Sequence, residues 1–555
     1  MHRKLRLLGA LTLTLAAAGA LSACGSSSKS SSSSGSSSGS TPTVTNLMGT
    51  APDFIDPALG YTTQSAEATW ISYTPLLTYA HANGQPGTQV IPGVAESLPK
   101  ISADGKTYTF TLRKGLVYSN GAAVKAGDFA YTIQRSIKLN WGGKSFFTEN
   151  IAGAEAFDKG TAKTISGIKT DEATGQITIE LVAPYGAFPN VLAFPSAGLV
   201  PTGTPMKNLS NNPPPGVGPY MITNVVPNQS FSVVKNPNWS KEAIPGIPSG
   251  HVNIDVKIVS NTQAEAQQVL NNSADVFDWA DTLPASLLPQ ISSKASERYA
   301  KVPTVSTWYF FMNTKTKPFN NQQVREAVIY AIDRNALSRL DSGFQTPACF
   351  FLPAGMVGHP KGPCPQGDPA APPNLAKAKQ LIQAAGFAGF PVTVWGQGRA
   401  PRREYIDYYA SVLNSIGLKA TEKILADATY FPTIGNLKVN PQTGFADWNQ
   451  DFPNPSDFYL LLNAKAIQPT NNQNFSQVND PHIQSELAVL NKVPTTKLQS
   501  VAKRWEELDE YTAKKAYVAV FGYESKPKFF SNRLNFGAAI FQLVYGNDWT
   551  SFELK

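Results

Sequence analysis

The stretch that decides the fold covers residues 310–340 and reads FFMNTKTKPFNNQQVREAVIYAIDRNALSRL. Pro318 and Asn320 provide a start signal for a helix. From residue 322 onward, apolar residues recur at three- and four-residue steps, the period of an amphipathic helix. These residues are Val324, Ala327, Val328, Ala331, Ile332 and Leu337. The spacing predicts one helix over Gln322–Leu340 with an apolar face against a core.

Away from this helix, the chain alternates strand-like and helix-like segments from about residue 43. Tyr108, Phe110 and Leu112 alternate with polar residues, which predicts a half-buried strand. Further predicted strands are Ile177–Val182, Phe231–Val234, Val252–Val259 and Val392–Trp395, and further helices are Leu375–Ala385, Glu404–Ile416 and about Lys497–Lys514. Strands dominate before residue 300 and helices between 320 and 515, so we predict an α/β protein of two lobes joined near residues 302–313.

The N-terminus is typical of an exported lipoprotein. Residues 1–23 have a basic start and an apolar middle that is too short to span a bilayer comfortably. They end in Leu21-Ser22-Ala23 before Cys24, and this ending resembles the bacterial lipobox. Residues 25–40 hold 12 Ser, 3 Gly and one Lys. We expect cleavage before Cys24, diacylation of its sulfur and a tether over residues 24–42; an ordinary signal peptide with an incidental cysteine is the alternative.

Length and composition limit the possible architecture and partners of the rest of the chain. Of 555 residues, about 515 lie beyond the signal peptide and tether, which is too many for a single hydrophobic core. The formal charge of +8 includes three basic residues of the signal peptide, so the mature value is only +5. This net positive charge is small, and the sequence contains no run of basic residues. We therefore expect no nucleic-acid partner.

Two further cysteines, Cys349 and Cys364, lie 15 residues apart in a segment rich in glycine and proline. In an exported protein they are candidates for a disulfide, which would be worth about 3 kcal/mol in the chain-entropy model. Two buried thiols are the alternative. A metal site is disfavoured because His359 is the only histidine nearby.

Signatures of enzymes are absent or misplaced. Gly35–Gly39 matches the serine-hydrolase elbow by letter, but it lies in the tether, with no strand before it and no helix after it. Gly142–Ser145 resembles the end of a phosphate-binding loop, but Lys138 stands where the first glycine is required. The five histidines are scattered. We therefore expect no catalytic residue, no metal and no cofactor.

One polar and aromatic segment, Trp448–Tyr459, has the composition of a binding loop. It combines aromatic rings with two acids, Asp451 and Asp457, and two prolines. A carboxylate between aromatic walls is a good receptor for an ammonium group, through charge pairing and cation–π attraction. The alternative from composition alone is a solvated turn.

Several stretches in the correct order resemble the family 5 extracellular solute-binding proteins, the peptide, nickel and opine receptors of ABC importers. The resemblance runs from about residue 45 to 550. The matching blocks are Ile71–Tyr79, Gly93–Leu98, Asp104–Gly115, Val217–Tyr220 with Lys235–Trp239, Phe311–Arg334 and Ala378–Phe387.

The resemblance implies a two-lobed clamp of the periplasmic-binding-protein type, the type II class of large peptide binders, with a discontinuous first lobe. Ligand would be buried between the lobes and trapped by hinge closure. The implied organisation is lobe one over residues 43–308, with a strand-rich subdomain at about 76–199, lobe two over 309–515, and a return to lobe one over 516–555.

The resemblance also implies a binding site. Peptide binders of this family carry Trp-x-x-Asp, and Trp448 and Asp451 fall on those positions, with Asp451 on the ammonium-binding aspartate. Trp395, Trp308 and Tyr309 are further candidates for the aromatic walls, with core or hinge packing as the alternative. No arginine stands out as the partner of a ligand carboxylate; Arg399, Arg402 and Arg403 lie near the cleft of lobe two in the sequence, with a solvated position as the alternative.

The predicted function is capture of a small solute, most simply a short peptide, by a monomeric lipoprotein on the outer face of the cytoplasmic membrane. An ABC permease with ATPase subunits is the expected partner. An oligosaccharide, an opine or chelated nickel are alternative ligands. An exported hydrolase and a surface adhesin are alternatives from other classes, and the lack of a coherent catalytic constellation argues against the hydrolase.

Overall fold

The structure is a computed structural model that describes residues 41–470 and 472–555. The predicted signal peptide, Cys24 and nearly all of the predicted tether lie outside the described residues. None of the described helices combines the length and the apolar character needed to cross a membrane.

The described residues form strands that range from two to 13 residues. In chain order they are β1 (Thr43–Met48), β2 (Leu77–Tyr79), β3 (Val90–Pro92), β4 (Lys100–Ile101), β5 (Thr107–Thr111), β6 (Ile168–Asp171), β7 (Gln176–Glu180), β8 (Tyr220–Val226), β9 (Ser230–Lys235), β10 (Asn253–Ile258), β11 (Val276–Phe277), β12 (Tyr299–Pro303), β13 (Ser306–Met312), β14 (Gln345–Pro347), β15 (Pro391–Gln397), β16 (Lys419–Leu425), β17 (Thr443–Asn449), β18 (Val518–Phe530), β19 (Ile540–Gln542) and β20 (Gly546–Asp548).

The α-helices are mostly short and are concentrated in the second half of the chain. In order they are α1 (Thr63–Trp70), α2 (Ala126–Lys138), α3 (Ser145–Thr148), α4 (Ala154–Asp158), α5 (Phe188–Val191), α6 (Thr262–Leu270), α7 (Leu288–Lys294), α8 (Gln322–Ala331), α9 (Arg334–Leu340), α10 (Leu375–Ala384), α11 (Arg402–Ser415), α12 (Asp427–Ile434), α13 (Pro455–Tyr459), α14 (Pro481–Leu490) and α15 (Ala502–Lys514).

A 12-stranded mixed sheet runs through the molecule in the order β16-β15-β17-β13-β18-β11-β1-β10-β9-β8, with β12 and β14 also paired to β18. Strand β18 holds the sheet together because its first half pairs with β13 and its second half with β11 and β12. A separate four-stranded sheet has the order β4-β5-β7-β6. The predicted half-buried strand is its member β5, whose residues alternate between buried and half-buried.

The buried hydrophobic residues form separate cores. The first core draws on residues 44–256 together with residues near the C-terminus, including Phe530 and Trp549. A second core occupies one face of β13 and β17 and includes Phe310 and Tyr405. A third occupies the opposite face and includes Trp505. The first core thus combines distant parts of the chain, while the second and third are built mainly from residues 305–521. A fourth, smaller core includes Leu47, Phe277 and Phe529.

The helix predicted over Gln322–Leu340 is two helices, and that prediction was wrong in its middle. α8 ends at Ala331, and Ile332 is extended, with ψ of 121°. Asp333 then caps α9, because its carboxylate accepts a hydrogen bond from the backbone N–H of Ala336 at 3.0 Å. The apolar period continues through the break because both helices pack on the second core.

The predicted late helix also begins later than expected, because residues 495–501 form a 3₁₀ turn before α15. Cys349 and Cys364 form a disulfide, with their Cα atoms 6.0 Å apart. This bond ties the glycine- and proline-rich loop to the end of β14.

Candidate functional site

The candidate site begins where β17 leaves the sheet. Asn449 is the last paired residue of β17 and lies opposite Ser306. The backbone N–H of Gln450 still donates to the carbonyl of Val305 at 3.0 Å. The chain then turns into α13, whose first backbone groups are capped by the side chain of Asn454. Trp448 and Asp451 are therefore held by a strand end on one side and a capped helix on the other.

Four side chains meet at this turn. The Asp451 carboxylate accepts a hydrogen bond from the Tyr61 hydroxyl at 2.7 Å, although the two residues are 390 positions apart. The backbone N–H of Asp451 donates to Oδ2 of Asp457 at 2.8 Å. The indole N–H of Trp448 donates to the same oxygen at 3.3 Å. Asp457 therefore fixes the position of both residues of the Trp-x-x-Asp motif.

The two carboxyl groups have unusual acidities. Burial raises the pKa of Asp451 to about 6, and the hydrogen bond from Tyr61 opposes this rise. Burial, followed by the negative charge of Asp451, raises the pKa of Asp457 well above its ordinary value. A positive charge placed beside this pair would relieve both effects.

A cavity of about 480 Å³ is lined by Asp457; Asp451 does not line it, but it is hydrogen-bonded to Tyr61 and Asp457, which do. Its walls come from two distant parts of the chain, residues 61–185 and residues 448–491. The residues that line it are Tyr61, Gly142, Gly143, Ser145, Phe146, Glu149, Asn150, Tyr185, Trp448, Phe452, Ser456, Asp457, Leu460, Asn463, Lys465, Ala466, Gln468, Gln473 and Asn491. Phe452 reaches from the 448–491 side into the first core, where its ring lies 5.8 Å from that of Phe146.

Tyr61 is positioned by its own loop. Its backbone N–H donates to the carboxylate of Asp53 at 3.0 Å, and its ring makes an edge contact with Trp141 at 5.5 Å. Thr62 caps helix α1 immediately after it. The hydroxyl that meets Asp451 is therefore delivered by an ordered turn of the first part of the chain.

The other predicted aromatic residues lie elsewhere. Trp308 is 5% exposed and packs against Tyr405 and Phe445 in the second core. Tyr309 is 2% exposed and belongs to the third core. Trp395 is also buried, and the Lys423 ammonium lies 4.1 Å from the centre of its ring. The structure does not bring these three residues to the cavity.

The candidate arginines Arg402 and Arg403 already have acidic partners. Arg402 donates to Asp447 and to Gln397, each at 2.5 Å. Arg403 forms ion pairs of 2.6 Å with Asp407 and with Glu422. Within residues 41–470 and 472–555, no group of three or more His, Cys, Asp or Glu side chains is arranged to hold a metal ion.

Sequence reasoning missed Tyr61 and Tyr185, which reach the site from the first part of the chain. Their surroundings in the sequence give no signal, because their roles depend on tertiary contacts. Asp457 was visible as the second acid of the Trp448–Tyr459 segment. Its hydrogen bonds with Trp448 and Asp451, which only the structure reveals, distinguish it from an acid exposed to solvent.

Comparisons with known proteins agree with this architecture. Over 92% of its length the chain superposes on 95% of a solved structure titled clavulanic acid biosynthesis oligopeptide binding protein 2, with a TM-score of 0.85 and 21% identity. It superposes with a TM-score of 0.72 and 20% identity on DppA from Helicobacter pylori in complex with peptide STSA, covering 92% of this chain and 98% of that one. The fold is therefore the two-lobed α/β clamp.

Sequence comparison gives the family. The chain is 27% identical over 327 residues to the glutathione-binding protein GsiB of Salmonella choleraesuis, and the match spans 58% of each protein. A family model described as bacterial extracellular solute-binding proteins, family 5, matches residues 89–469. That match covers more than half of the chain, so the chain belongs to the family 5 bacterial extracellular solute-binding proteins.

Proposed function

We propose that this protein is the substrate-binding component of an ABC importer and captures short peptides between its lobes. The observation that carries the proposal is the Asp451 carboxylate, which is half-buried, shares the partner Asp457 with Trp448 and lies next to a cavity that both Trp448 and Asp457 line. A peptide's α-ammonium would pair with Asp451 and take over the position of the Tyr61 hydroxyl. The relatives whose names mention glutathione or oligopeptides support the same class of ligand.

The size and lining of the cavity support a ligand of a few residues. A volume of about 480 Å³ falls within the range of 300–1,000 Å³ that is usual for small-molecule sites. Aromatic and apolar walls would contribute by excluding water, while Asn150 and Asn463 contribute side-chain amides to the lining.

Capture would involve no covalent chemistry. The ligand stabilises the closed form to the extent that it binds that form better than the open one. Tyr61 and Phe452 are among the contacts between the proposed lobes at the site, so these contacts would break when the cleft opens. We propose lobe boundaries at residues 43–308, 309–515 and 516–555, with a subdomain at about 76–199. The closed, loaded receptor would dock as a monomer on a permease driven by ATPase subunits.

We further propose that Cys24 anchors the protein by lipid to the outer face of the cytoplasmic membrane after removal of residues 1–23. Expressed in a bacterium, the full chain is expected to fractionate with membranes and to enter the detergent phase. Cys24→Ala should move it to the aqueous phase. An unchanged distribution of Cys24→Ala would contradict the anchor and leave the binding function untouched.

Peptide affinity should depend on pH in a bell-shaped manner. Asp451 must be ionised to pair with an ammonium, and in the empty receptor the pKa of Asp451 is about 6. Affinity should therefore be full above pH 6 and fall about tenfold per unit as the pH drops below it. A second decline is expected above about pH 8, where a peptide's α-amino group loses its proton. Calorimetric titrations between pH 4.5 and 9 measure both limbs, and equal affinities at pH 5 and pH 7 would contradict the role of Asp451.

The ligand class is tested by titrating the purified protein with di-, tri- and tetrapeptides, glutathione, an oligosaccharide, an opine and a nickel chelate. Binding of peptides with a free N-terminus, and loss of that binding on Nα-acetylation, is expected. Selective binding of the sugar, the opine or the chelate would overturn the peptide assignment. Turnover of a peptide would revive the hydrolase alternative, and binding to a host surface alone would favour an adhesin.

A further inference from the structure

The cavity beside Asp451 contains a second carboxylate whose role is not explained by holding an α-ammonium. Asp457 is 1% exposed and lines the cavity. Its Oδ2 is occupied by the donors from Asp451 and Trp448. Its Oδ1 is buried and has no partner within hydrogen-bond geometry among the described residues, although the backbone N–H of Phe452 lies near enough to the carboxylate to lower its pKa. A buried, unsatisfied carboxylate oxygen is costly unless it is protonated or a ligand satisfies it.

The surroundings of Asp457 favour a cation. Trp448, Tyr185 and Tyr61 place aromatic rings in the cavity walls, and aromatic faces attract ammonium and guanidinium groups. Phe146 and Leu460 offer apolar contact for the carbon stem of a long basic side chain. Among the lining residues, Glu149 adds a further acid and Lys465 a base, and both of these side chains are exposed.

Asp451 and Asp457 also lie so close together that a negative charge on one raises the free energy needed to ionise the other. The backbone N–H of one donates to the carboxylate of the other at 2.8 Å. A ligand with one positive charge would leave the second carboxyl group without a counter-charge. A ligand with two positive charges, separated by a side chain, could pair with both.

We propose that Asp457 is a specificity-determining residue that binds a second cationic group, so that the receptor prefers peptides whose first residue is lysine or arginine. The α-ammonium pairs with Asp451, and the side-chain cation enters the cavity and pairs with Oδ1 of Asp457. This inference rests on the proposed peptide-binding function and adds the class of peptide.

The test compares Lys-Ala-Ala with norleucine-Ala-Ala, a tripeptide of similar shape that lacks the side-chain ammonium. The purified wild-type protein should bind the lysine peptide about 10- to 100-fold more tightly by calorimetry. Asp457→Asn keeps the shape of the side chain and an oxygen that can accept from Trp448 and Asp451. It should reduce the ratio of the two affinities to less than about threefold, whatever its effect on the norleucine peptide alone. Thermal unfolding of Asp457→Asn checks that the fold is kept.

A second readout separates ligand binding from a positioning role. Burial and the charge of Asp451 raise the pKa of Asp457, and a cationic side chain that pairs with Asp457 should lower this pKa again and so release protons. Titrations in two buffers of different ionisation enthalpy should show additional proton release for the lysine peptide, and Asp457→Asn should abolish the difference.

Three results would overturn the inference. The wild type could show no preference for lysine over norleucine. Asp457→Asn could weaken both peptides equally, which would make Asp457 a positioning residue for Trp448 and Asp451. Proton release could be the same for both peptides. If the wild type binds norleucine-Ala-Ala but not its Nα-acetylated form, the proposed function stands even when the inference fails; if it binds no peptide, both fail.

Discussion

Replacing Asp451 by asparagine should weaken binding of a short peptide by about 30-fold to several-thousand-fold. The carboxylate is the charge that faces the ligand's ammonium, and its surroundings are partly desolvated, so its removal leaves the ammonium buried without a partner. The asparagine side chain can still accept the hydrogen bond from Tyr61, so the empty site should keep its shape. Isothermal titration of the wild type and Asp451→Asn with the same peptide measures the change.

Nα-acetylation provides the matched control. Acetylation should weaken peptide binding to the wild type by a similar factor and should have little further effect on Asp451→Asn, because both changes remove the same ion pair. Asp171→Asn, at an exposed carboxylate in β6, should bind both peptides as the wild type does. Additive effects of the substitution and the acetylation would show that Asp451 acts on the peptide elsewhere.

The second large effect concerns the loop that delivers Tyr61. Arg135 makes two hydrogen bonds of 2.6 Å to the Asp56 carboxylate, and both side chains are fully buried. Asp56 also accepts from the backbone N–H of Leu209 at 2.8 Å. Arg135→Met should lower the free energy of unfolding by about 3–5 kcal/mol, because it leaves a buried carboxylate without its partner.

Urea unfolding followed by circular dichroism measures this loss. Adding Asp56→Leu to Arg135→Met should recover part of the stability, since the unpaired charge is then removed. The control is Lys159→Met, which breaks an exposed pair with Glu155 and should change stability by less than about 0.5 kcal/mol. A loss below 1 kcal/mol for Arg135→Met would contradict the importance of the buried pair.

Much of the fold was predictable because local patterns and tertiary structure agree. Of the predicted alternation, Tyr108 and Phe110 lie in β5 and Leu112 lies just beyond its end. The apolar period after residue 322 became two packed helices. The break at Asp333 was missed because an aspartate inside an apolar period can be a surface residue or a cap, and only its contact with the Ala336 N–H separates the two.

The site was less predictable for a physical reason. β13 is buried on both faces, so Trp308 and Tyr309 pack into two different cores, and an aromatic pair in the sequence cannot reveal this. Tyr61 reaches Asp451 only through the assembled fold. The local Trp448–Tyr459 segment was informative because its residues contact one another.

Native mass spectrometry of the purified protein, followed by denaturation to release any retained ligand, tests the central claim most directly. We predict that the wild type releases short peptides with free N-termini and that Asp451→Asn, purified in parallel, releases none. Release of a sugar or a metal chelate from the wild type, or retention of the same peptides by Asp451→Asn, would contradict the assignment of Asp451 as the ammonium-binding residue of a peptide receptor.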